Sequence, residues 1–259
     1  MATILTEVDG YIGTITLNEQ ERRNALSESL VGGIIAALQD FRARKLRVAI
    51  LRAPAGAKVW SAGHDVGELP EGRRDPLGWD DPLRNLVREI ETFPAPVIAM
   101  IEGTVWGGAS ETVFACDLIV AAPGATFAVT PAKLGVPYNV SGMMTFLNAA
   151  SIRIVKELTF TAKPMTAARA ESLGVINYVV PVEELEAFTY GLARDIAALA
   201  PLSIAVMKEQ LRVLSGAHPV SPRGFERVQG LRRVVYDSHD YQEGIRAFKE
   251  KRKPEFKGE

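Results

Sequence analysis

The chain has 259 residues, of which 47% are hydrophobic, and its 30 Lys and Arg nearly balance its 31 Asp and Glu, for a formal net charge of −1. This balance argues against a nucleic-acid-binding protein, which needs a basic face. A chain of this length buries most of the surface of its unfolded form, so its fold requires neither a disulfide nor a metal.

The expected compartment is the cytoplasm. The single cysteine, Cys116, cannot form an intramolecular disulfide, which is typical of a reducing environment. Residues 1–10 have neither the basic nor the apolar region of a secretory signal, and no uncharged apolar run reaches the length of a membrane span. We therefore expect a soluble cytoplasmic protein with no membrane partner and no nucleic-acid partner.

The first elements of the chain predict a hairpin, a helix and a strand. Residues 3–8 and 12–17 alternate apolar and polar side chains around Asp9-Gly10, a dipeptide that favours a hairpin turn. A helix is predicted next, weakened by Gly32-Gly33. Its inner face carries apolar residues at helical spacing, namely Leu30, Ile34, Leu38 and Phe41. Residues 48–51 predict a short buried strand.

A long loop separates this strand from the next helix. Residues 53–80 are rich in Gly, Pro and charged residues, and loops of such length are usually functional or mobile. Asp81-Pro82 predicts a helix start, with an N-cap and a proline at the first helical position. Residues 97–101 and 118–121 predict two further buried strands, with a turn into a helix at Gly107-Gly108 between them.

The last quarter of the chain has a different character. From about Glu184 onward the pattern is helical, with breaks at Pro201, Gly216 and Pro222. Such a tail predicts an α/β fold followed by a helical region that acts as a lid, an oligomerisation surface or both. We place the boundary so that residues 1–187 form the catalytic core and residues 188–259 the C-terminal helical oligomerisation region.

Two glycine-flanked segments carry the strongest chemical signal: Ser61-Ala-Gly-His-Asp65 and Gly103-Thr-Val-Trp-Gly-Gly-Ala-Ser-Glu111. In each, bare backbone N–H groups are expected to point at a ligand oxygen. Two converging N–H donors stabilise negative charge that grows on a carbonyl oxygen, often the largest single contribution to catalysis. The pair predicts an enzyme that forms an enolate.

We assign the two donors to the backbone N–H groups of His64 and Gly108, with Gly63 allowing close approach. A helix that starts at Gly108 adds its dipole to the attraction for an anion. No metal is expected at the His64 side chain, because His218 and His239 are distant in sequence and no Cys/His cluster is present. The segments also lack the GxGxxG, GxSxG and Walker patterns of other ligand sites.

Six motifs spread over nearly the whole chain form a family pattern. They are Arg23-Asn-Ala-Leu26, Ser61-Ala-Gly-His-Asp65, Pro96-Val-Ile-Ala-Met-Ile-Glu-Gly103, Gly107-Gly-Ala-Ser-Glu111, Cys116-Asp117 and the tail motif Glu243-Gly…Ala247-Phe…Lys251-Arg-Lys-Pro254. Together they resemble the enoyl-CoA hydratase/isomerase (crotonase) superfamily. The resemblance implies a spiral core of ββα units, C-terminal helices that trimerise, and an acyl-CoA thioester substrate. It also implies that the N–H groups of His64 and Gly108 form an oxyanion hole.

The chain departs from this family where hydratases typically carry their second catalytic glutamate. The family stretch Pro-Glu-x-Lys-Leu-Gly is replaced by Val129-Thr-Pro-Ala-Lys-Leu-Gly135. When the two stretches are aligned without a gap, Pro131 stands at the position of the catalytic glutamate; when the alignment is shifted by one residue, Ala132 stands there. Neither side chain can transfer a proton. Glu111 matches the first glutamate. Tyr138-Asn-Val-Ser-Gly142 replaces the usual Pro-Gly-Ala-Gly-Gly and resembles family members that decarboxylate methylmalonyl-CoA.

The resemblance therefore implies a lyase that converts methylmalonyl-CoA, or a close malonyl-type thioester, to propionyl-CoA. Loss of carbon dioxide leaves a carbanion that delocalises onto the thioester oxygen, so no cofactor is expected and CoA is part of the substrate. An ionised glutamate about 4 Å from the substrate carboxylate would cost roughly 4 kcal/mol at an effective dielectric constant of about 20. An uncharged residue at the second glutamate position thus favours decarboxylation over hydration.

Three side chains are assigned to the reacting end of the substrate. Tyr138 orients the substrate by a hydrogen bond to its carboxylate or to an amide on the thioester side, or else it is a core aromatic with a satisfied hydroxyl. Thr130 bonds the same carboxylate or is an ordinary strand threonine. Glu111 has three open roles: it stays neutral, it faces away, or it protonates the enolate carbon. Burial, which raises a carboxyl pKa, is compatible with the neutral form.

The remaining substrate contacts follow from the same resemblance. Lys251 reaches the CoA phosphates, from this chain or from a neighbouring subunit, or else belongs to a solvated tail; both arginine and lysine suit phosphate. Trp106 shapes the acyl pocket or packs in the core. The full set of expected substrate-binding residues is Arg23, Ala25, Ala62, Gly63, Asp65, Val66, Trp106, Thr130 and Lys251.

Two other functions stay open. A hydratase or isomerase that uses Glu111 as its sole acid and base is disfavoured by the missing second acid. A non-catalytic protein of this fold that binds acyl-CoA or RNA is the alternative from another class, since a fold does not guarantee an activity. The balanced charge argues against RNA, and the retained glycines argue against an inert protein. The expected partners are the acyl-CoA substrate and further copies of the chain, as a homotrimer or a dimer of trimers.

Overall fold

The computed structural model describes residues 2–70, 75–217 and 219–259. Its strands in chain order are β1 (Ile4–Asp9), β2 (Ile12–Leu17), β3 (Val48–Arg52), β4 (Val59–Ser61), β5 (Val97–Ile101), β6 (Thr104–Trp106), β7 (Leu118–Ala121), β8 (Thr126–Ala128), β9 (Met165–Thr166) and β10 (Tyr178–Val179).

The helices, in the same order, are α1 (Glu28–Ala43), α2 (Pro82–Thr92), α3 (Gly108–Phe114), α4 (Val140–Ala149), α5 (Ile152–Thr161), α6 (Ala167–Ser172), α7 (Val182–Ala197), α8 (Pro201–Ser215), α9 (Pro222–Tyr236) and α10 (His239–Lys249). Short 3-10 turns occupy Gln20–Arg22, Val66–Glu68 and Pro131–Leu134.

The larger sheet has six strands in the order β1-β2-β3-β5-β7-β10. The predicted hairpin is confirmed, because β1 and β2 pair antiparallel and Gly10 turns between them at φ +56°. The other neighbours pair parallel. Helices cover both faces, which explains why every residue of β5 is buried. Its Val97, Ala99 and Ile101 face the main core, whereas Ile98 and Met100 pack towards α7.

The smaller sheet positions the functional segments. Its order is β4-β6-β8-β9, and β4, β6 and β8 run parallel. Each of these three strands follows a strand of the larger sheet and precedes a helix, so the expected spiral of ββα units is present. The carboxyl ends of parallel neighbours meet at one edge of a sheet. The segments that contain His64, Gly108 and Thr130 follow these strands and are therefore brought together.

Two predictions about organisation differ from the structure. The prediction of one uninterrupted loop over residues 53–80 is wrong, because it contains β4 and the 3-10 turn Val66–Glu68. A strand of three residues depends on pairing with β6, which local sequence does not reveal. The boundary expected between residues 187 and 188 falls inside α7. Leu185 and Ala193, one on each side of it, pack against the same face of the larger sheet.

Within the described residues, no single helix is long and apolar enough to cross a bilayer. Taken together, α7 and α8 have the length and composition of a span, but the two helices are bent by 104° relative to each other.

Candidate active site

A cavity of about 580 Å³ lies at the shared edge of β4, β6 and β8. Most residues predicted from the sequence line it: Arg23, Ala25, Ala62, His64, Asp65, Val66, Trp106, Gly108, Thr130 and Tyr138. Gly63, Glu111 and Lys251 do not belong to the described lining. The sequence analysis missed Arg22, Leu69, Leu77, Leu83, Lys133, Leu134, Val136 and Phe248, which also line it.

The first candidate oxyanion donor is the backbone N–H of His64. The turn after β4 is fixed by Ser61, whose hydroxyl donates to the carbonyl of Asn24 (2.6 Å) and accepts from the N–H of Gly63 (3.2 Å). Gly63 has φ +89°, in the left-handed region that favours glycine. The N–H of His64 donates to no other described residue.

The second candidate donor is the N–H of Gly108. Gly107 turns the chain at φ +54°, and its own N–H donates to the carbonyl of Ala128 (2.8 Å). Gly108 is the first residue of α3, so its N–H has no acceptor within the helix. Among the described residues it has no other hydrogen-bond acceptor either.

These two N–H groups lie side by side. A methyl group on Gly63 would be 3.0 Å from the nitrogen of Gly108 and 2.4 Å from the carbonyl oxygen of Trp106. A methyl group on Gly108 would be 3.4 Å from the nitrogen of His64. Gly63 therefore needs glycine for close packing of the two segments, whereas a methyl group on Gly108 would meet Cδ2 of Leu83 at 2.7 Å. The result is a pair of unpartnered donors at the cavity, the arrangement that stabilises an oxyanion.

The segment around Asn24 holds the first donor loop in place, a role that the motif alone did not reveal. Asn24 is fully buried and donates its side-chain N–H to the carbonyl of Trp60 (2.8 Å). The N–H of Ala62 donates to the carbonyl of Arg23 (2.9 Å), and the N–H of Leu26 donates to the carbonyl of Gly63 (2.8 Å).

Tyr138 contributes a buried hydroxyl without a hydrogen-bond partner among the described residues. Its ring packs edge-on against Phe146, with centroids 5.0 Å apart. Burial, followed by the charge of Glu111, raises the pKa of Tyr138 well above its usual value. The side chain therefore remains a phenol that can donate a hydrogen bond. The alternative of a core aromatic with a satisfied hydroxyl does not match this arrangement.

Glu111 lies in the protein interior beside the cavity and forms an ion pair with Arg84 of α2. One carboxylate oxygen accepts from the guanidinium, and the other, Oε2, is buried without a partner. Burial raises the pKa of Glu111 to about 7, although the charge and hydrogen bond of Arg84 oppose this rise. The carboxyl is thus paired with Arg84 and lies outside the described cavity lining, and its role in the reaction stays a prediction.

The two residues that could replace the second glutamate of hydratases are placed differently in the segment after β8. Pro131 lines the cavity beside Thr130, whereas Ala132 is exposed and is not part of the lining. Pro131 begins the 3-10 turn Pro131–Leu134. The position therefore presents an apolar ring to the cavity.

Two basic side chains that the sequence analysis did not single out lie at the cavity. Arg22 is paired with Asp65, and Lys133 has its ammonium 5.8 Å from the ring centre of Trp106. Lys251 is exposed beyond α10 and does not reach the cavity of its own chain. A contact from Lys251 to a neighbouring subunit's substrate stays a prediction.

The side chain of His64 bridges two segments. Its Nδ1 lies 3.1 Å from the carbonyl oxygen of Asp65, and its Nε2 lies 3.1 Å from Oδ2 of Asp81. Burial lowers the pKa of His64, but the hydrogen bond and charge of Asp81, with smaller contributions from Asp65 and Glu68, outweigh burial, so the pKa is raised. Among the described residues, which exclude His218, no group of three or more His, Cys, Asp or Glu could hold a metal ion.

Comparison with known proteins places this geometry in a family. The family model for enoyl-CoA hydratase/isomerase matches residues 7–259. Methylmalonyl-CoA decarboxylase of Escherichia coli strain K12 is 54% identical over 247 residues, covering 95% of each chain. Carnitinyl-CoA dehydratase of Salmonella arizonae is 34% identical over 258 residues, covering 96% of each chain.

A solved structure extends the likeness to three dimensions. The structure of methylmalonyl-CoA decarboxylase in complex with 2-nitronate-propionyl-CoA superposes with a TM-score of 0.98 at 52% identity, covering 99% of both chains. The family expected from the motifs is thereby confirmed, and the chain belongs to the enoyl-CoA hydratase/isomerase family.

Proposed function

We propose that this protein decarboxylates methylmalonyl-CoA, or a close malonyl-type thioester, to propionyl-CoA. The observation that carries the proposal is the pair of unpartnered N–H groups of His64 and Gly108 at the cavity. Of the described lining residues, Asp65 alone carries a carboxylate, and it is paired with Arg22. The E. coli relative and the solved complex, both named methylmalonyl-CoA decarboxylase, support the same reaction.

The reaction starts with the thioester carbonyl oxygen accepting hydrogen bonds from both N–H groups. The bond between the α-carbon and the carboxylate breaks, and its electron pair moves through the α-carbon onto the carbonyl oxygen. Carbon dioxide leaves, and the resulting enolate carbon takes up a proton. Loss of a single oxyanion donor typically costs about 2.7–4 kcal/mol of transition-state stabilisation. The thioester itself accepts the electron pair, so the chemistry needs no separate electron sink.

Tyr138 and Thr130 are the residues that orient the departing carboxylate in this proposal. Both line the cavity, and the unpartnered hydroxyl of Tyr138 is a donor with no competing acceptor in the free protein. Thr130 lies next to the oxyanion turn, because a methyl group on Gly107 would be 3.1 Å from its hydroxyl oxygen. Hydrogen bonds to a charged group contribute about 1.5–3 kcal/mol each. They can hold the carboxylate perpendicular to the thioester plane, where the breaking bond overlaps the carbonyl.

The CoA end of the substrate meets the basic side of the cavity. Arg22, Arg23 and Lys133 line this region, and both guanidinium and ammonium groups suit phosphate oxygens. Arg22 already pairs with Asp65, so Arg23 and Lys133 are the stronger candidates for the phosphates of CoA.

Hydration is disfavoured by the same cavity. A hydratase needs a carboxylate that activates water, but Glu111 is paired with Arg84 outside the described lining, and the segment expected to carry a second glutamate presents Pro131 to the cavity. Binding without catalysis is disfavoured by the close approach of the segments around Gly63 and Gly108. This arrangement leaves the N–H groups of His64 and Gly108 without an acceptor among the described residues.

The test is a side-by-side assay of the purified full chain. Carbon dioxide release is measured with methylmalonyl-CoA and hydration is measured with crotonyl-CoA, each at several substrate concentrations. We expect carbon dioxide release with a kcat/KM well above that for hydration. Efficient hydration without carbon dioxide release would overturn the proposal, and so would binding of both thioesters without turnover of either.

We propose further that the chain assembles as a homotrimer or a dimer of trimers. The outer surface of α8 and α9 carries large apolar side chains exposed to solvent in the single chain, among them Leu202, Leu211, Leu214, Leu231 and Val234. An exposed apolar surface of this kind is typical of a protein–protein contact.

A further inference from the structure

The imidazole of His64 faces a hydrogen-bond acceptor at each of its ring nitrogens. Nδ1 lies 3.1 Å from the backbone carbonyl oxygen of Asp65, and Nε2 lies 3.1 Å from Oδ2 of Asp81. A carbonyl oxygen carries no proton, so Nδ1 must supply the proton in the first contact.

The second contact requires a proton on Nε2 as well. The other oxygen of Asp81, Oδ1, accepts from the N–H groups of Leu83 (2.9 Å) and Arg84 (3.3 Å) in the first turn of α2. Asp81 is thus the N-cap of α2, and its carboxylate is the acceptor in both hydrogen bonds. An ionised carboxylate accepts only, so the proton in the Asp81 contact belongs to His64.

We propose that His64 acts as a positioning residue in its doubly protonated form, tying the loop that carries the first oxyanion N–H to the N-terminus of α2. Its effect on the reaction rate rests on the decarboxylation proposed above. The backbone N–H that binds the oxyanion and the imidazolium that holds the loop belong to the same residue. The charge on the imidazole therefore controls where the backbone N–H of His64 lies, although the imidazole itself does not contact the reacting atoms.

The groups around the imidazole favour the protonated form. Asp81, the N-cap of α2, contributes most through its hydrogen bond and its charge. The backbone carbonyl of Asp65 adds a hydrogen bond, and Glu68 adds its charge. Asp65 is itself paired with Arg22. Beyond Asp81, the ion pair of Glu111 and Arg84 links α3 to α2.

The proposal predicts the direction in which activity changes with pH. Below the raised pKa of His64 both hydrogen bonds are present. As the pH rises through that pKa, one nitrogen loses its proton and one of the two contacts becomes unfavourable. The loop then loosens and the oxyanion donor is displaced, so kcat should fall several-fold on the alkaline side.

The experiment combines an NMR titration with pH–rate profiles on the full chain. Nitrogen-15 shifts show whether both ring nitrogens carry protons, and the three histidines of the chain are assigned by single substitutions. We expect His64 to titrate above the ordinary histidine pKa of about 6.5, with both nitrogens protonated below that point. The midpoint of the alkaline fall in kcat should match.

Variants separate this role from simple structural support. His64→Gln keeps an N–H donor for Asp81 without a titratable group, so it should lose the alkaline fall and retain more activity than His64→Ala. Asp81→Asn should lower the titration midpoint of His64. His239→Gln removes an exposed histidine whose ring lies 3.6 Å from Asp240, and it should leave the profile unchanged. Burial raises the pKa of Glu111 to about 7, so Glu111→Gln removes the other group that titrates in this range, and it should keep the fall.

Two results would overturn the proposal: a single protonated nitrogen on His64 at pH 6, or an unchanged alkaline fall in His64→Gln. Failure of the proposed function gives a different result: the wild-type chain releases no carbon dioxide, while the NMR titration still shows a doubly protonated His64.

Discussion

Glu111 and Arg84 form an ion pair in the protein interior, with side chains that are 0% and 6% exposed. The pair connects α3, which starts at the oxyanion glycine, with α2, whose N-cap Asp81 contacts His64. By its motif, Glu111 resembles the first catalytic glutamate of hydratases in the family, but here its carboxyl is paired with an arginine. The contact thus connects the two helices that begin beside the candidate oxyanion donors.

Removal of Arg84 should destabilise the fold. Arg84→Met leaves a buried carboxyl without its partner, and breaking a buried pair on one side typically costs about 3–5 kcal/mol in the free energy of unfolding. Urea denaturation at neutral pH measures the loss. The double variant Arg84→Met with Glu111→Gln should recover a large part of it, because no unpaired charge remains. Equal stability of Arg84→Met and the wild type would contradict the pairing.

Tyr138→Phe should separate activity from stability. The hydroxyl has no hydrogen-bond partner in the free protein, so its removal should leave the melting temperature equal or higher. The loss of a hydrogen bond to the substrate carboxylate should lower kcat/KM for methylmalonyl-CoA by about 10- to 100-fold, equivalent to about 1.5–3 kcal/mol.

The matched control for this variant is Tyr236→Phe. The hydroxyl of Tyr236 donates to Asp75 at 3.0 Å, so its loss should reduce stability by about 1 kcal/mol while activity is kept. Unchanged kinetics in Tyr138→Phe would assign Tyr138 to packing.

Gly63→Ala should disrupt the oxyanion site through both strain and contact. Its φ is +89°, and the added methyl group would lie 2.4 Å from the carbonyl oxygen of Trp106. Displacement of one donor predicts a fall in kcat of about 100- to 1,000-fold. Gly10→Ala is the control, because Gly10 also has a positive φ but has open space around it. It should lose some stability and keep full activity; a parallel loss of activity in both variants would point to backbone strain alone.

The proposed oligomer predicts a charge-sensitive surface on α8. Leu211→Glu places a carboxylate within the exposed apolar surface and should dissociate the assembly to smaller species, as measured by light scattering coupled to size exclusion. Gln210→Glu adds the same charge at the neighbouring exposed position and should have a weaker effect. A monomeric wild-type chain, or an assembly that tolerates Leu211→Glu, would count against this surface.

Much of the fold could be predicted from periodicity. The hairpin, the buried strands β3, β5 and β7 and the helical tail follow from local patterns of apolar residues. The short strands β4, β6 and β8 could not be predicted, because three residues in a glycine-rich setting carry little local signal and depend on pairing with one another. Yet these strands bring the donor segments together.

Some residues of the candidate site could not be predicted from the sequence for a similar reason. The glycines around both donors could be recognised because a close backbone approach restricts the residue type. Arg84 could not be predicted, because it lies next to the apolar face of α2 and its burial depends on Glu111, 27 positions further along the chain. Likewise, the hydroxyl of Tyr138 lacks a hydrogen-bond partner because no described polar group lies within reach of it. This depends on the tertiary structure and not on a local sequence pattern.

The most direct test of the account is decarboxylation of methylmalonyl-CoA in heavy water, followed by mass spectrometry of the product. An enolate that forms by loss of carbon dioxide, in a cavity whose described lining holds no free carboxylate base, should give propionyl-CoA with one deuterium at the α-carbon. Added unlabelled propionyl-CoA should not exchange on the same timescale. Rapid exchange of the α-hydrogens of added propionyl-CoA would show that a base in the cavity removes protons and would contradict the account.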